Sequence, residues 1–468
     1  MATKRKVKKV TQAKRVKIMP VKRAYEAARI SRLFNDWRVG TQSINDDLQQ
    51  ALVTIRNRAR DLEQNDDVVR RYLALVEANV VGQAGFTLRL KGDNQEEISY
   101  IREKFYEWLD NCELSGRYTA AELQRVMIRT WARDGEILGI FRRGGNYKDG
   151  LGLQFLEADY LNEQANDKNI KLIMGVYLDA FGKPIKYEIL KELSSSLKNR
   201  AGSIVYPAED ILHAFKVERP GQVRGVTWLA GVMTTLKMLH GYQEAELVAA
   251  RVASCQMGFY KIPPGENWAN DGTDSDGSAL SDAAPGVFER MPTGWEFQQF
   301  TPQHPTSQYG DFIKEIKREI AGGLNVSYSA LANDGSDANY SSMREMSILE
   351  RENWKVCQDA FARQAMRRLY REWIKTAALA GVFDFDVEQY VEADYWTGRT
   401  WPWVDPEKDI KARTIEIQLG LTSPSILAAE RGIDYVETLK QLREDEKARE
   451  AYGLPSLMNI PATDKKGV

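Results

Sequence analysis

The stretch LANDGSDANYSSMREMSILERENW, residues 331–354, joins two segments of opposite character. Its first half, through residues 333–337, is rich in the glycine and small polar residues that favour a flexible loop. From Met343 to about Ala380, nonpolar residues recur at the three- and four-residue spacing of an amphipathic helix. Such a helix would be about 57 Å long at 1.5 Å per residue. The sequence therefore predicts a flexible polar loop attached to one end of a long helix.

The region before this stretch predicts two more helices around a turn-rich segment. One helix is expected from about Val226 to Ser254, and another from about Ser307 to Ala321, where Gly322-Gly323 ends it. Between them, residues 261–286 consist mostly of glycine, proline, aspartate, serine and asparagine. The pieces GFYKI, GVFERM and GWEFQQF around this segment are typical of short strands. The pattern predicts a helical stalk with a small β-containing element at its tip.

Residues 24 to about 215 predict an α+β domain, with helices first and strands afterwards. The spacing of nonpolar residues indicates helices at 45–64, 66–82, 95–111 and 119–133, a strand at 86–90, and β-hairpins at 136–161 and 175–190. After the long helix come a proline-containing corner at 399–409 and short helices at 406–419, 423–431 and 434–450. The predicted fold class is therefore α+β.

Positive charge is concentrated at the N-terminus. Residues 1–23 contain ten lysines and arginines and no acid, whereas the rest of the chain has 55 basic and 66 acidic residues. This basic tail indicates nucleic acid or an acidic protein surface as a partner, although a disordered, solubilising end explains the composition equally well. The acidic body is not expected to hold DNA tightly. The tail residues singled out are Lys4, Arg5, Lys6, Lys8, Lys9, Lys14, Arg15 and Lys17.

The sequence contains no recognisable motif of catalytic residues. The three cysteines, Cys112, Cys255 and Cys357, are far apart and lack CxxC spacing, which suits a reducing compartment. The three histidines are isolated from one another. The sequence has neither a GxxxxGK[ST] phosphate loop nor a GxSxG nucleophile motif. We therefore expect no catalytic residues and no cofactor.

Metal binding and membrane insertion are also not expected. Asp271, Asp274 and Asp276 resemble a calcium-binding loop only superficially, because the glutamate and flanking helices of an EF-hand are missing. No nonpolar run approaches the roughly 20 residues that a membrane-spanning helix requires. The sequence favours interactions with proteins or DNA over catalysis.

Six stretches of the sequence, taken together, resemble one protein family. They are SRLFNDWRVGTQSINDDL (31–48), LEQNDDVVRRYLALVEANVVGQAGFTLR (62–89), LQFLEADYL (153–161), ILHAFKVERPGQVRGVTWL (211–229), LNVSYSALANDGSDANYSSMREMSILERENW (324–354) and WPWVDP (401–406). The family is that of phage portal proteins of the lambda type, and the resemblance spans roughly residues 24–450. Its members form rings of twelve subunits at one capsid vertex, and DNA enters and leaves through the central channel.

The resemblance implies a portal fold that assembles into a ring, with parts assigned along the chain. These parts are a disordered basic tail at 1–23, an α+β wing at 24–220, a first stem helix at 221–255, a small β-containing clip at 256–305, a second stem helix at 306–324, a tunnel-loop region at 325–342, the long channel-side helix with a return to the wing at 343–404, and a helical crown with the C-terminal tail at 405–468.

The resemblance also implies which residues meet partners. Leu236 and Leu239 on the first stem helix are expected to face neighbouring subunits. Trp268 and Trp295 are expected clip contacts, although packing inside the clip explains Trp295 equally well. The residues implied to face DNA from the tunnel loop are Asn333, Asp334, Gly335, Ser336, Asp337, Asn339 and Tyr340.

The partners implied by the resemblance are further copies of the chain, the large terminase, a head-completion or connector protein, the major capsid and scaffold proteins, and double-stranded DNA without sequence specificity. The implied location is the capsid vertex of the virion, and the host cytoplasm during assembly. The alternative is a DNA-processing enzyme, such as a phage nuclease, whose site is not visible in one sequence.

Overall fold

The computed structural model describes residues 41–193, 202–254, 258–261, 296–299, 308–336, 340–401, 406–430, 433 and 435–456. The helices are α1 (Ile44–Asn65), α2 (Asp67–Val76), α3 (Gln95–Leu109), α4 (Ala120–Asp134), α5 (Met233–Ser254), α6 (Tyr309–Gly323), α7 (Tyr328–Ala332), α8 (Tyr340–Phe361), α9 (Arg367–Leu379), α10 (Glu388–Val391), α11 (Pro406–Gln418), α12 (Pro424–Glu430) and α13 (Tyr435–Ala451). The strands are β1 (Thr87–Leu90), β2 (Glu136–Arg143), β3 (Leu151–Leu156), β4 (Leu172–Ile173), β5 (Val176–Leu178), β6 (Pro184–Leu190), β7 (Ser203–Pro207), β8 (Ile211–Phe215), β9 (Gly258–Lys261), β10 (Glu296–Gln299) and β11 (Asp394–Thr397).

The predicted mixture of helices and strands is confirmed in the described residues. Asp66 caps α2 by accepting the backbone N–H of Val69 at 3.0 Å, and Asn94 caps α3 in the same way. Thr119 and Glu122 form a capping box at the start of α4. The predicted helix at 66–82 is α2 followed by a π-helical turn, Glu77–Val81. These local capping signals explain why the boundaries agree so closely with the sequence pattern.

In the described residues, the strands form four antiparallel sheets. Both predicted hairpins are present, as β2 pairs with β3 and β5 pairs with β6. Strand β8 adds to the other side of β2, and β4–β7 form a separate four-stranded sheet. Strand β1 pairs with β11, placing Thr87 opposite Thr397. The segment after the long helix therefore forms a two-stranded sheet with β1 of the α+β domain.

The long helix is confirmed and runs from Tyr340 to Leu379. A π-helical turn, Ala362–Met366, separates α8 from α9. The C-terminal half lies inside the α+β domain, where Trp373 packs against Phe105 with ring centroids 5.2 Å apart. Trp373 also donates from its indole Nε1 to Asp149 Oδ2 at 3.0 Å. Burial of these aromatic rings anchors the long helix to the domain core.

The first stalk helix begins later than the sequence pattern predicts, at Met233 instead of about Val226. The intervening residues bond to the end of α4, since both the Thr227 hydroxyl and the Trp228 backbone N–H donate to Ala132 O, at 3.2 and 3.0 Å. The backbones at Gly135 and Gly225 approach so closely that a Cβ on either residue would overlap the other segment. Tertiary hydrogen bonds thus replace the first two turns of the expected helix.

The second stalk helix, α6, confirms the prediction of a helix at about 307–321. Strands β9 and β10 form an antiparallel pair between α5 and α6, with Tyr260 opposite Phe297. Two of the three predicted strand pieces are therefore present. The third piece, GVFERM, lies outside the described residues, as do Trp268, Trp295, the aspartates of residues 270–277 and the basic residues of 1–23.

Candidate functional site

The base of the polar loop is tied to the long helix. The Ser327 backbone N–H donates to Glu350 Oε2 at 3.1 Å, and the Trp354 indole donates to Glu350 Oε1 at the same distance. Asn353 on α8 donates its side-chain amide to Asn325 O at 3.3 Å. Glu350 thus connects the segment after α6 to a buried tryptophan of α8.

The first residues of the predicted loop adopt a fixed conformation. Asn333 has a left-handed backbone, with φ at 53°, and ends the short helix α7. Asp334 accepts the Ser336 backbone N–H at 2.9 Å and the Tyr328 hydroxyl at 3.0 Å. These hydrogen bonds lower the pKa of Asp334 to about 2, so the carboxylate is ionised at neutral pH. Residues 333–336 therefore form a non-helical turn with internal hydrogen bonds.

The placement of Tyr340 in the loop is wrong, because Tyr340 is the first residue of α8. Gly335 and Ser336 continue the turn after Asn333, whereas Asp337 and Asn339 lie outside the described residues. The polar segment is thus shorter than the sequence indicates. Helix α8 begins three residues before the predicted start at Met343, because the tyrosine and two serines at 340–342 are compatible with its first turn.

A groove of about 430 Å³ lies beside this turn. Its walls come from the turn, the end of α2, the first half of α8 and the segment after β11. Asp334 and Gly335 line one side, and Arg351 and Trp401 line another. The turn, the long helix and the returning segment therefore meet at one place on the subunit.

A buried charge cluster joins the α+β domain to the segment that leads into α5. Glu136 Oε2 is 2.9 Å from His213 Nε2 and 3.0 Å from the Arg224 guanidinium Nε. Arg224 also donates to the backbone carbonyls of Met174 and Ala158, at 3.1 and 3.2 Å. Burial opposes ionisation of Glu136, but Arg224 and His213 outweigh it and lower the pKa of the carboxyl well below its ordinary value.

Arg56 extends this cluster to α1. Its guanidinium Nη2 is 2.8 Å from Glu163 and 3.1 Å from Asp159, and its side chain is fully buried. These residues follow no sequence motif, because the partners are about 50 to 110 positions apart along the chain. The isolated histidine at 213 has the structural role that lone histidines usually have, as part of a buried pair.

The nonpolar side chains of the stalk divide into a buried set and an exposed set. Leu236 and Leu239 are 0% and 3% exposed, in the core of the subunit itself. The expectation that they face neighbouring subunits is therefore wrong. Met238, Leu247 and Val248 on the same helix are 71%, 67% and 53% exposed. Any contact of this helix with another chain would use the exposed set.

The C-terminal helices α11–α13 leave their nonpolar residues uncovered. None of the described side chains from residue 410 to 456 is buried. Exposed examples include Leu419 at 68%, Leu421 at 74% and Ile426 at 53%. A helix that leaves its nonpolar side chains in water within one chain indicates an interaction surface.

Within the described residues, no three histidine, cysteine, aspartate or glutamate side chains are arranged to hold a metal ion. The same residues include no helix both long and nonpolar enough to cross a membrane. Burial raises the pKa of the Cys357 thiol to about 11 and also raises that of Cys112, so neither is an activated nucleophile at neutral pH.

Comparison with known families identifies the chain. The family model described as "Phage portal protein, lambda family" matches residues 31–358, which is more than half of the sequence. The chain therefore belongs to the lambda family of phage portal proteins. The resemblance inferred from the six sequence stretches is confirmed at the level of the family.

Individual portal proteins show the same relationship. The "Probable portal protein" of Halomonas phage phiHAP-1 is 29% identical over 459 residues, covering 93% of this chain and 88% of that relative. Portal protein B of Escherichia phage lambda is 25% identical over 277 residues, covering 52% of this chain and 51% of that relative.

Two solved structures also show similarity. The neck of an empty gene transfer agent particle has a TM-score of 0.45 and 14% identity, covering 86% of this chain and 93% of the matched chain. An HK97-family phage portal protein from Corynebacterium diphtheriae has a TM-score of 0.34 and 12% identity, covering 61% of this chain and 82% of that chain.

Proposed function

We propose that this chain is the subunit of a portal ring at one capsid vertex, with DNA passing through the central channel during packaging and ejection. Twelve copies are the proposed number. The ring would also connect the head to the tail. Its place would be the virion vertex, after assembly in the host cytoplasm.

The observation that carries this proposal is the uncovered nonpolar surface of the C-terminal and stalk helices. Within the described part of the chain, Leu247, Leu421 and Ile426 remain 67%, 74% and 53% exposed. Cyclic assembly buries the same two surfaces at every subunit boundary, because each copy offers one surface to each neighbour. A ring is therefore the simplest assembly that covers these helices without leaving an open end.

The turn after α7 is the proposed site that faces DNA. The ionised carboxylate of Asp334 lies there, and Asp337 follows in the sequence. Negative side chains repel phosphates, so DNA would pass this point without binding to it. The hydrogen bonds of Glu350 would fix the base of the turn to the ring wall.

Two further segments are proposed to meet other components. The clip, residues 256–305, would dock the large terminase and later a head-completion or connector protein, with Trp268 and Trp295 as candidate contacts. The basic residues 1–23 would contact DNA or an acidic protein, such as a scaffold protein, during assembly. Contacts of the wing with the major capsid protein complete the proposal.

The rival function, a DNA-processing enzyme, gains no support from the family assignment. The described residues also bring together no group of candidate metal ligands. The proposal therefore assigns the chain no catalytic activity and no cofactor.

Mass measurement combined with negative-stain microscopy tests the ring. The expected particle has roughly twelve times the 53.2 kDa mass of one chain and a central hole. A monomeric protein that cleaves DNA in the presence of Mg²⁺ would contradict the proposal and support the rival. Heavy particles without a central opening would contradict the channel while leaving self-association intact.

A further inference from the structure

The groove between α8 and the segment after β11 contains two arginines, Arg351 and Arg399, that have no carboxylate partner among the described residues. The groove has a volume of about 490 Å³. The Arg351 guanidinium lies 6.0 Å from the ring centroid of Trp401. Arg399 donates to Asn79 Oδ1 at 3.2 Å and to the carbonyl of Ala78. Among the described residues, neither arginine forms an ion pair.

Other arginines of the long helix differ in this respect. Arg367 contacts Asp394 at 3.1 Å, and Arg368 contacts Glu372 at 3.1 Å. In the groove, burial and the charge of Arg351 both lower the pKa of Arg399. Two guanidinium groups close together in a half-enclosed groove are unfavourable unless an anion neutralises them. Within the described part of the chain, Glu352 in the groove lining pairs with Lys355, so no carboxylate neutralises the two arginines.

We propose that Arg351 and Arg399 form a carboxylate-binding site and that an aspartate or glutamate of a second copy of this chain completes it. This proposal rests on the proposed ring function, which places copies side by side. Guanidinium groups bind carboxylates through paired hydrogen bonds of fixed geometry. A groove of this volume accommodates a few side chains of a neighbouring subunit.

The surface beside the groove favours a protein over DNA as the source of the anion. Ile348, Trp401 and Leu427 line the groove with the arginines, and Ile348 is 46% exposed. Nonpolar side chains next to the charged groove match the core and rim of a protein interface. Nonpolar side chains form neither hydrogen bonds nor ion pairs with the phosphates of a DNA duplex. Outside residues 1–23 the chain carries 66 acidic against 55 basic residues, so a second copy brings an excess of carboxylates.

Carboxyl-to-amine crosslinking tests the partner directly. The variant Arg351→Lys places a primary amine in the groove, and a zero-length carbodiimide reagent joins such an amine only to a carboxylate in contact with it. The expected result is a crosslink between two chains that is absent from the wild-type ring, with mass spectrometry identifying the acidic residue. The absence of any new crosslink, or a new crosslink only within one chain, would overturn the proposal.

Charge reversal provides a second, independent measurement. Arg351→Glu is expected to raise the protein concentration at which half of the rings dissociate by about tenfold or more. Arg117→Glu makes the same charge change at an exposed arginine of the α3–α4 connection and should leave this concentration unchanged. Thermal unfolding of the dissociated subunits shows whether each variant still folds.

The possible results separate this proposal from the ring itself. If the wild-type chain forms no ring, the proposed function fails first. If the wild-type and Arg351→Glu rings are equally stable, only the carboxylate site is refuted. A variant ring of normal stability that binds double-stranded DNA more weakly would assign the arginines to DNA and overturn the protein partner.

Discussion

The α+β domain that contains β1–β8, which is proposed to be the wing, and the C-terminal helices α11–α13 differ in how much nonpolar surface they bury. In the wing and the part of the long helix that it encloses, Trp108, Trp131, Trp354 and Trp373 are at most 1% exposed. Among the described residues from 410 to 456, no side chain is buried. The described part of this region therefore buries its large tryptophans within one chain, whereas the described side chains of the C-terminal helices all remain at least partly exposed.

Charged groups show the same contrast. Glu136 is buried in the wing with Arg224 and His213 as partners. Arg351 and Arg399, at the boundary between the wing and the C-terminal helices, have no carboxylate partner among the described residues. The two arginines without a carboxylate partner in the described chain therefore lie beside the helices that are proposed to contact neighbouring subunits.

The largest expected effect is on the buried pair of the wing. Glu136→Gln removes the charge that neutralises Arg224, and we expect the free energy of unfolding to fall by about 3–5 kcal/mol, since unpaired buried charges are strongly destabilising. Chemical denaturation of the dissociated subunit measures the change. The control Glu392→Gln changes an 80% exposed carboxylate that contacts Arg371, and should cost less than about 1 kcal/mol.

The same pair predicts a pH dependence. Folding lowers the pKa of Glu136 from its ordinary value of 4.5, so the pair stabilises the wing fully above that pH. This contribution declines as the pH falls below 4.5. The difference in unfolding free energy between wild type and Glu136→Gln should therefore shrink as the pH falls below about 4.5. A difference that grows on acidification would contradict the assignment.

The second prediction separates the two sides of α5. Leu236→Ala should lower the free energy of unfolding of the subunit by about 2–5 kcal/mol, because it leaves a cavity in the core. Met238→Ala, on the 71% exposed side, should change it by less than about 0.5 kcal/mol. Equal losses of unfolding free energy in the two variants would show that Leu236 and Met238 are buried to the same extent, which contradicts the structure.

The third prediction concerns the stability of the ring instead of the stability of the folded subunit. Leu247→Asp combined with Val248→Asp should dissociate rings while changing the unfolding free energy of the subunit by less than about 0.5 kcal/mol. Light scattering and denaturation measure the two quantities. Phe181→Asp is the matched control, because Phe181 is 96% exposed at the tip of the β5–β6 hairpin, outside the stalk. Stable rings in the double variant would exclude this part of the stalk from the interface.

The smallest structural effect is expected at the turn after α7. Asp334→Lys with Asp337→Lys should leave the ring intact and impair DNA packaging, because positive charge would attract phosphates that now pass freely. Asp334→Asn with Asp337→Asn has nearly the same shape without the charge, and should package more DNA than the lysine variant. Normal DNA packaging by the lysine variant would show that this turn does not face the DNA channel.

Local sequence signals predicted most of the secondary structure. The spacing of nonpolar residues predicted the helices at 95–111 and 119–133 and the hairpin at 175–190, and the structure shows them as α3, α4 and the β5–β6 pair. These local signals failed where tertiary hydrogen bonds compete with helix formation, at residues 226–232. They also failed at Tyr340, because polar residues that favour a loop can equally occupy the first turn of a helix.

The sequence by itself determined the α+β class, the long helix, the excess of acid outside the basic tail and the family, because these depend on local spacing, composition and similarity along the chain. Only the tertiary structure decided which leucines of α5 are buried, that Glu136 meets Arg224, and that Arg351 and Arg399 share a groove. The reason is that helical spacing gives the periodicity of a nonpolar face but not what covers it. Ion pairs between residues nearly 90 positions apart leave no pattern in the sequence, because the fold alone brings them together.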